Sequence, residues 1–260
     1  TLGMSFTLIP LFYLMIKLHA KEKFVQTWHP FWIIPLATYA VSVIMRIFTG
    51  DLTIPQEWFF QWMTFFYAPL LIMWCRRAGI SFKNTPYLVI SIWAFIFVMV
   101  QGNILFIPEV KGFFHKNNLV IAHAHVAIGL GIFFMGLSVL KYFYTLPQKF
   151  VHFWLYIIAI IFIPLTIAGF VEAGLLEMDT VPLLWMRLIG GFLAVLGLLY
   201  YILKEIKLPE RKLLNLYHLN GFASDGLGAV ILIFFAPTLF GLLGFTFSPI
   251  YYLVFGFMGF

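Results

Sequence analysis

Charge is scarce in this 260-residue chain: Asp, Glu, Lys and Arg together make up 10% of it, against 63% hydrophobic and 20% aromatic residues. Soluble globular domains carry about 25% charged residues, so a water-soluble fold of this length is excluded. Cysteine is almost missing too. Cys75 is the one cysteine, which excludes an intrachain disulfide and a cysteine-held metal cluster; we read it as a structural thiol. No phosphate loop, nucleophile elbow or paired-carboxylate signature occurs, so the chemistries that depend on those motifs have no foothold. The net charge of +6 points to no nucleic acid, because the basic residues fall in alternate loops.

What the chain does have is long apolar runs, with a mean hydropathy of +0.99. A membrane span needs roughly 20 such residues. That ruler predicts seven helices: Leu2–Leu18, Phe31–Phe48, Trp58–Cys75, Leu88–Phe106, Leu119–Leu140, His152–Leu175 and Leu184–Leu203. The stretch Gly226–Phe260 holds one or two more, with Pro237 early in it and Pro249 breaking it. The expected fold is an all-α polytopic transmembrane bundle of about eight to nine helices. We expect no cleavable signal before the first of them. The chain opens on Thr1 directly in apolar sequence, and we expect either processing or a piece of something longer.

Loop charge orients the spans. Lys17, Lys21 and Lys23 follow the first, Arg76, Arg77 and Lys83 the third, Lys141 and Lys149 the fifth, and Lys204, Lys207, Arg211 and Lys212 the seventh. The intervening loops carry Asp51 and Glu57, then Glu109 with Lys111 and Lys116, then Glu172, Glu177 and Asp179. The basic loops are therefore cytoplasmic and the Thr1 side is outside. The fifth span runs inward, with His123 and His125 in its outer half.

Those two histidines carry the functional signal. An ionisable side chain at membrane depth is costly and is read as functional by default. Residues i and i+2 of an α-helix point about 200° apart, so His123 and His125 face nearly opposite ways. They cannot easily grip one small ion together, but each could ligate a different large planar cofactor. Two hemes fit, since imidazole is a standard axial ligand of heme iron. The plainer alternative is a buried polar group bonded to a neighbouring helix. Gly129, Gly131 and Gly136, in the same span, are expected to serve close packing of helices or cofactor faces, and Phe133 and Phe134 to pack or face lipid.

The stretch from Phe97 to Leu140, with Gln101-Gly102, the polar turn before Asn117 and Ala122-His123-Ala124-His125-Val126-Ala127, resembles the ninth and tenth helices of the heme-copper oxidase superfamily catalytic subunit. Nitric oxide reductase and the cbb-type oxidases are the closest in flavour. The resemblance implies that His123 is the proximal ligand of a high-spin heme and that His125 ligates a low-spin heme. Met186-Arg187-Leu188-Ile189-Gly190-Gly191 resembles the start of the family's twelfth helix, and Arg187 would then pair with a heme propionate. The first seven helices would be the family's sixth to twelfth. The resemblance covers about residues 1–206, and residues 207–260 would be additional membrane helices.

The chain departs from the family as well. The family's non-heme copper or iron is held by three histidines, one on the sixth helix and an adjacent pair near the seventh. No histidine stands between His29 and His115, so the pair is missing, and the sixth-helix ligand would fall at or just before Thr1. The low-spin heme's second histidine belongs to a helix this chain lacks. Gln101 replaces a glutamate of the cbb-type enzymes. His19 and His29 are expected to be solvated, His115 an exposed loop residue, and His152 and His218 far from the heme level. Asp225 is expected to cap a helix.

The implied protein is a heme-bearing membrane subunit of a respiratory electron-transfer complex, with one or two hemes, b-type by resemblance, and no dependable non-heme metal. If it is an enzyme, it is an oxidoreductase of the terminal oxidase or nitric oxide reductase type. Its partners would be other membrane subunits, including one supplying the missing N-terminal helices, with cytochrome c or quinol as donor. A prokaryotic cytoplasmic membrane is the expected location. Two other classes stand beside this one. A cofactor-free structural or assembly subunit of the same fold predicts no heme. A proton- or ion-conducting subunit predicts intramembrane carboxylates, of which Glu172 is the best case.

Overall fold

The computed structural model describes residues 8–20, 29–114, 116–143 and 146–205. Six helices in it are long and apolar enough to cross a membrane, and no strand occurs among the described residues. Together with the composition, this makes the chain an integral membrane protein whose described residues form an all-α architecture. Six of the seven expected spans are present at full length. The first expected span is described only from Leu8, and the stretch Gly226–Phe260 lies outside the described residues, as do His115, His218 and Asp225. Two compact units are recognised. The described part of the first lies in Thr1–Ile80, and that of the second in Ser81–Lys212.

The first unit holds α1 (Ile9–His19), α2 (Pro30–Thr49) and α3 (Ile54–Arg77). Proline stands in the first turn of all three, where its missing N–H costs nothing. His29 is not the solvated residue expected from the sequence. It is half-buried at the N-cap of α2, and its Nδ1 accepts the Phe31 N–H at 3.2 Å. α3 begins four residues before the expected Trp58. Gln56 accepts the Thr53 N–H at 2.9 Å, which closes the first turn, and Glu57 in that turn meets Arg46 of α2 at 3.0 Å. Inside α3, Met63–Phe66 tightens to a 3-10 turn. Pro69 follows it, and its ring has no N–H for the Phe65 carbonyl and would crowd it. Trp74 is fully buried and packs edge-on against Tyr13 of α1 at 5.1 Å between centroids.

The second unit holds α4 (Pro86–Leu105), the short α5 (Pro108–Phe114), α6 (Asn118–Lys141), α7 (Gln148–Glu172) and α8 (Val181–Glu205). The first part of α6 lies on α7, its later part lies on α4, and α7 lies on α8. Lipid tails offer no hydrophobic drive for helices to associate, so close packing must supply it. Glycines make that packing possible, Gly169 and Gly190 among them. A Cβ on Gly169 of α7 would stand 2.5 Å from the Leu119 backbone nitrogen. One on Gly190 of α8 would stand 2.7 Å from Ile161 Cγ1 of α7. The seam between α4, α6 and α7 is filled by Tyr87, Val98, Phe134, Phe150 and Trp154, and Phe134 is fully enclosed.

The entry to α6 is heavily tied. Asn117 caps the helix, its Oδ1 accepting the Leu119 N–H at 2.9 Å, while its amide donates to the Gly169 carbonyl at 3.1 Å. The Glu172 carboxylate accepts the Asn118 backbone N–H at 2.7 Å and a further bond from the Asn118 amide. A carboxylate at a helix N-terminus complements the helix dipole. Glu172 is thus an exposed capping group at the end of α7, which accounts for it without ion conduction.

Candidate functional site

α6 carries both histidines, and it is not a uniform helix. It is α-helical from Asn118 to Val126, forms a π turn over Ala127–Ile132, and is α-helical again from Phe133. His123 and His125 occupy the last full α turn before the π segment. As the i, i+2 spacing requires, they turn to different neighbours.

His123 turns to α4. Its Nδ1 lies 3.3 Å from the Gln101 amide oxygen, and its ring fills the space left by the missing side chain of Gly102. A Cβ at position 102 would stand 3.2 Å from Cε1 and 3.8 Å from Nε2. With the amide oxygen facing the ring, as it does here, Nδ1 is the donor and Nε2 presents its lone pair.

His125 turns to α7 and α8. Its Nδ1 lies 2.8 Å from the Ile121 carbonyl oxygen. That oxygen can only accept, so again Nδ1 is protonated and Nε2 is free to ligate. A main-chain carbonyl on the far nitrogen is a common second partner of a metal-binding imidazole, fixing both tautomer and ring angle. The histidine borders a cavity of about 420 Å³ that also includes Ala124, Ile128, Ile157, Ile161 and Ala194. Apart from His125 and Trp154, every residue around it is aliphatic or glycine. Cofactor sites of a few hundred Å³, apolar with one or two placed polar groups, are the usual kind. A second apolar cavity of about 540 Å³ lies between α4, α6 and α7, and Ile158 borders both.

Arg187 is half-buried on α8. It stands seven residues, nearly two turns, before Ala194, which puts it on the cavity's side of α8 and roughly 10 Å toward the helix start. It makes no hydrogen bond or ion pair with another described residue, so its guanidinium is available to an anionic group.

The other described histidines do not join them. His19 is half-buried at the end of α1, His29 caps α2, and His152 is exposed on α7. No group of three or more His, Cys, Asp or Glu side chains converges among the described residues.

Two functional partners were not visible in the sequence. Two carbonyls of the π turn accept hydrogen bonds from side chains of the neighbouring helices. Trp154 of α7 donates its indole N–H to Gly129 O at 2.9 Å, and Ser91 of α4 donates its hydroxyl to Gly131 O at 2.5 Å. The expectation for the glycines is met only in part. A Cβ on Gly129 would meet Ile158 Cδ1 at 2.5 Å, whereas Gly131 and Gly136 have open space around them.

No family model, no curated protein and no solved structure matches the chain. The functional reading therefore rests on the residues themselves.

Proposed function

We propose that this chain is a heme-bearing subunit of a respiratory electron-transfer complex, related to the catalytic subunits of oxygen and nitric oxide reductases but without their histidine pair for a non-heme metal. The observation that carries the proposal is His125. Its Nδ1–H is committed to the Ile121 carbonyl, and its free Nε2 belongs to a ring bordering a large apolar cavity between three helices. Such a donor, at membrane depth and in such surroundings, suits heme iron.

A heme bound there would supply one-electron redox chemistry. The chain's own residues have separable tasks. His125 would ligate the iron, and the Ile121 carbonyl holds its imidazole in the ligating tautomer. Ile128, Ile157 and Ile161 keep water away, and dryness around a heme is one of the protein's levers on its potential. Arg187 would take a propionate. His123, held by Gln101, is the residue the family resemblance assigns to a high-spin heme. A single cysteine cannot provide the paired thiols of covalent c-type attachment, which agrees with a b-type group. The positive-inside pattern supports a cytoplasmic membrane with the Thr1 side outside. Other membrane subunits of the complex would be its partners, and cytochrome c or quinol would be the donor.

The test is a reduced-minus-oxidised visible spectrum with a pyridine hemochrome count, on the purified complex and on His125→Ala. Heme in the wild type, with one signal lost in the variant, is expected. Wild-type protein without heme would leave the structural-subunit alternative in its place.

A further inference from the structure

We infer that Trp154 is a positioning residue for the His125 site, acting through the π turn that follows the histidine. The inference rests on the heme reading above.

The π turn has a geometric consequence. One inserted residue rotates everything after it by about 100° relative to an unbroken α-helix. α6 uses that rotation: its segment before the insertion packs on α7, while the π segment and the helix beyond it pack on α4. Without the insertion the two packing faces could not both be met, and fully enclosed Phe134 would turn out of its place.

The insertion must then be held in register. Nothing in hydrocarbon other than protein can satisfy a freed carbonyl, and leaving one unpaired is costly. Trp154 and Ser91 donate to two carbonyls of the π turn, from α7 and α4 respectively.

The two bonds are not equivalent. Gly129 and Trp154 both border the His125 cavity, and Gly129 lies four residues after His125, one turn along the helix. Phe133 rests against the Trp154 ring at 4.6 Å between centroids. The indole therefore fixes the carbonyl one turn from the ligand and walls the ligand's cavity at once. Ser91 is fully buried on α4 and is not among the cavity residues. It holds the insertion without touching the site. The histidine's angle to the cavity should depend on the first bond and not on the second.

Trp154→Phe and Ser91→Ala in the intact complex separate these roles. Both remove one donor from the π turn. The readouts are the heme midpoint potential by redox titration and the electron paramagnetic resonance envelope of the ferric heme. Trp154→Phe is expected to retain heme but move the potential and the envelope. Ser91→Ala is expected to lower thermal stability and leave both where they were. An unmoved potential in Trp154→Phe, or an equal shift in Ser91→Ala, overturns the assignment. So does a Trp154→Phe protein that loses its fold, since Trp154 would then be structural. Wild-type complex without heme refutes the underlying heme reading, whereas heme with an unmoved potential refutes only the role of Trp154.

Discussion

Gly169→Ala offers the sharpest test of how α6 is held. The added Cβ would stand 2.5 Å from Leu119 N, 2.6 Å from Leu119 Cβ and 2.9 Å from Leu119 Cα. Ordinary contacts of this kind lie at about 3.5–4.0 Å. Two of the three atoms are backbone, so no rotamer change relieves the clash, and the start of α6 must retreat by roughly 1 Å. Overpacking of this sort costs about 1–3 kcal/mol. The retreat also stretches the 3.1 Å bond from Asn117 to the Gly169 carbonyl, which is worth about 1 kcal/mol. Alanine's better helix propensity returns about 1 kcal/mol. The net expectation is a loss of about 1–3 kcal/mol. Gly136→Ala, in α6, is the control, because open space surrounds that position; it should be neutral or gain up to about 1 kcal/mol. Thermal unfolding of both variants in one detergent measures the difference. A Gly169→Ala protein as stable as Gly136→Ala would refute the claim that backbone contact at Leu119 sets the α6–α7 spacing.

Two other substitutions probe the site itself. Gly102→Leu fills the space occupied by the His123 ring and should break its 3.3 Å contact with Gln101; nitrogen NMR of labelled histidine would show the bonded Nδ1–H lost, and its persistence would show that the notch is not what seats the ring. Arg187→Leu should leave folding intact, since the guanidinium has no polar partner among the described residues, and should raise the fraction of heme lost on prolonged detergent washing; unchanged retention would remove Arg187 from the site.

The spans were legible in the sequence because membrane crossing is a matter of length and apolarity, and both are local. Proline at helix starts and Arg76 and Arg77 at the end of α3 mark limits without tertiary information. Charged and polar residues near the ends were harder to place, because a loop residue and a helix-end residue share a composition. Glu57 reads as loop charge, yet it sits in the first turn of α3, paired with Arg46. His29 reads as solvated, yet it caps α2. Glu172 reads as a stray intramembrane acid, yet it closes the start of another helix 54 residues away. Each assignment needed a partner that only the fold brings near.

The same division runs through the site. That His123 and His125 part company follows from two residues of helix and required no structure. Which neighbour each would meet did require it, and so did the π turn. Nothing in Ala127-Ile128-Gly129-Leu130-Gly131-Ile132 announces an inserted residue. Its glycines suit close packing equally well, and the donors that make the insertion tolerable in lipid lie 25 and 40 residues off in sequence. A helical-wheel projection of α6 is therefore correct as far as Val126 and about 100° out after Ile132. It would place Phe134 on the wrong face, although in the fold that residue is fully enclosed. The insertion lets one helix present its histidines to α7, α8 and α4 and still seal against α4 below them. A membrane helix holding ligands on two faces needs both contacts, and one extra residue in a turn supplies the second.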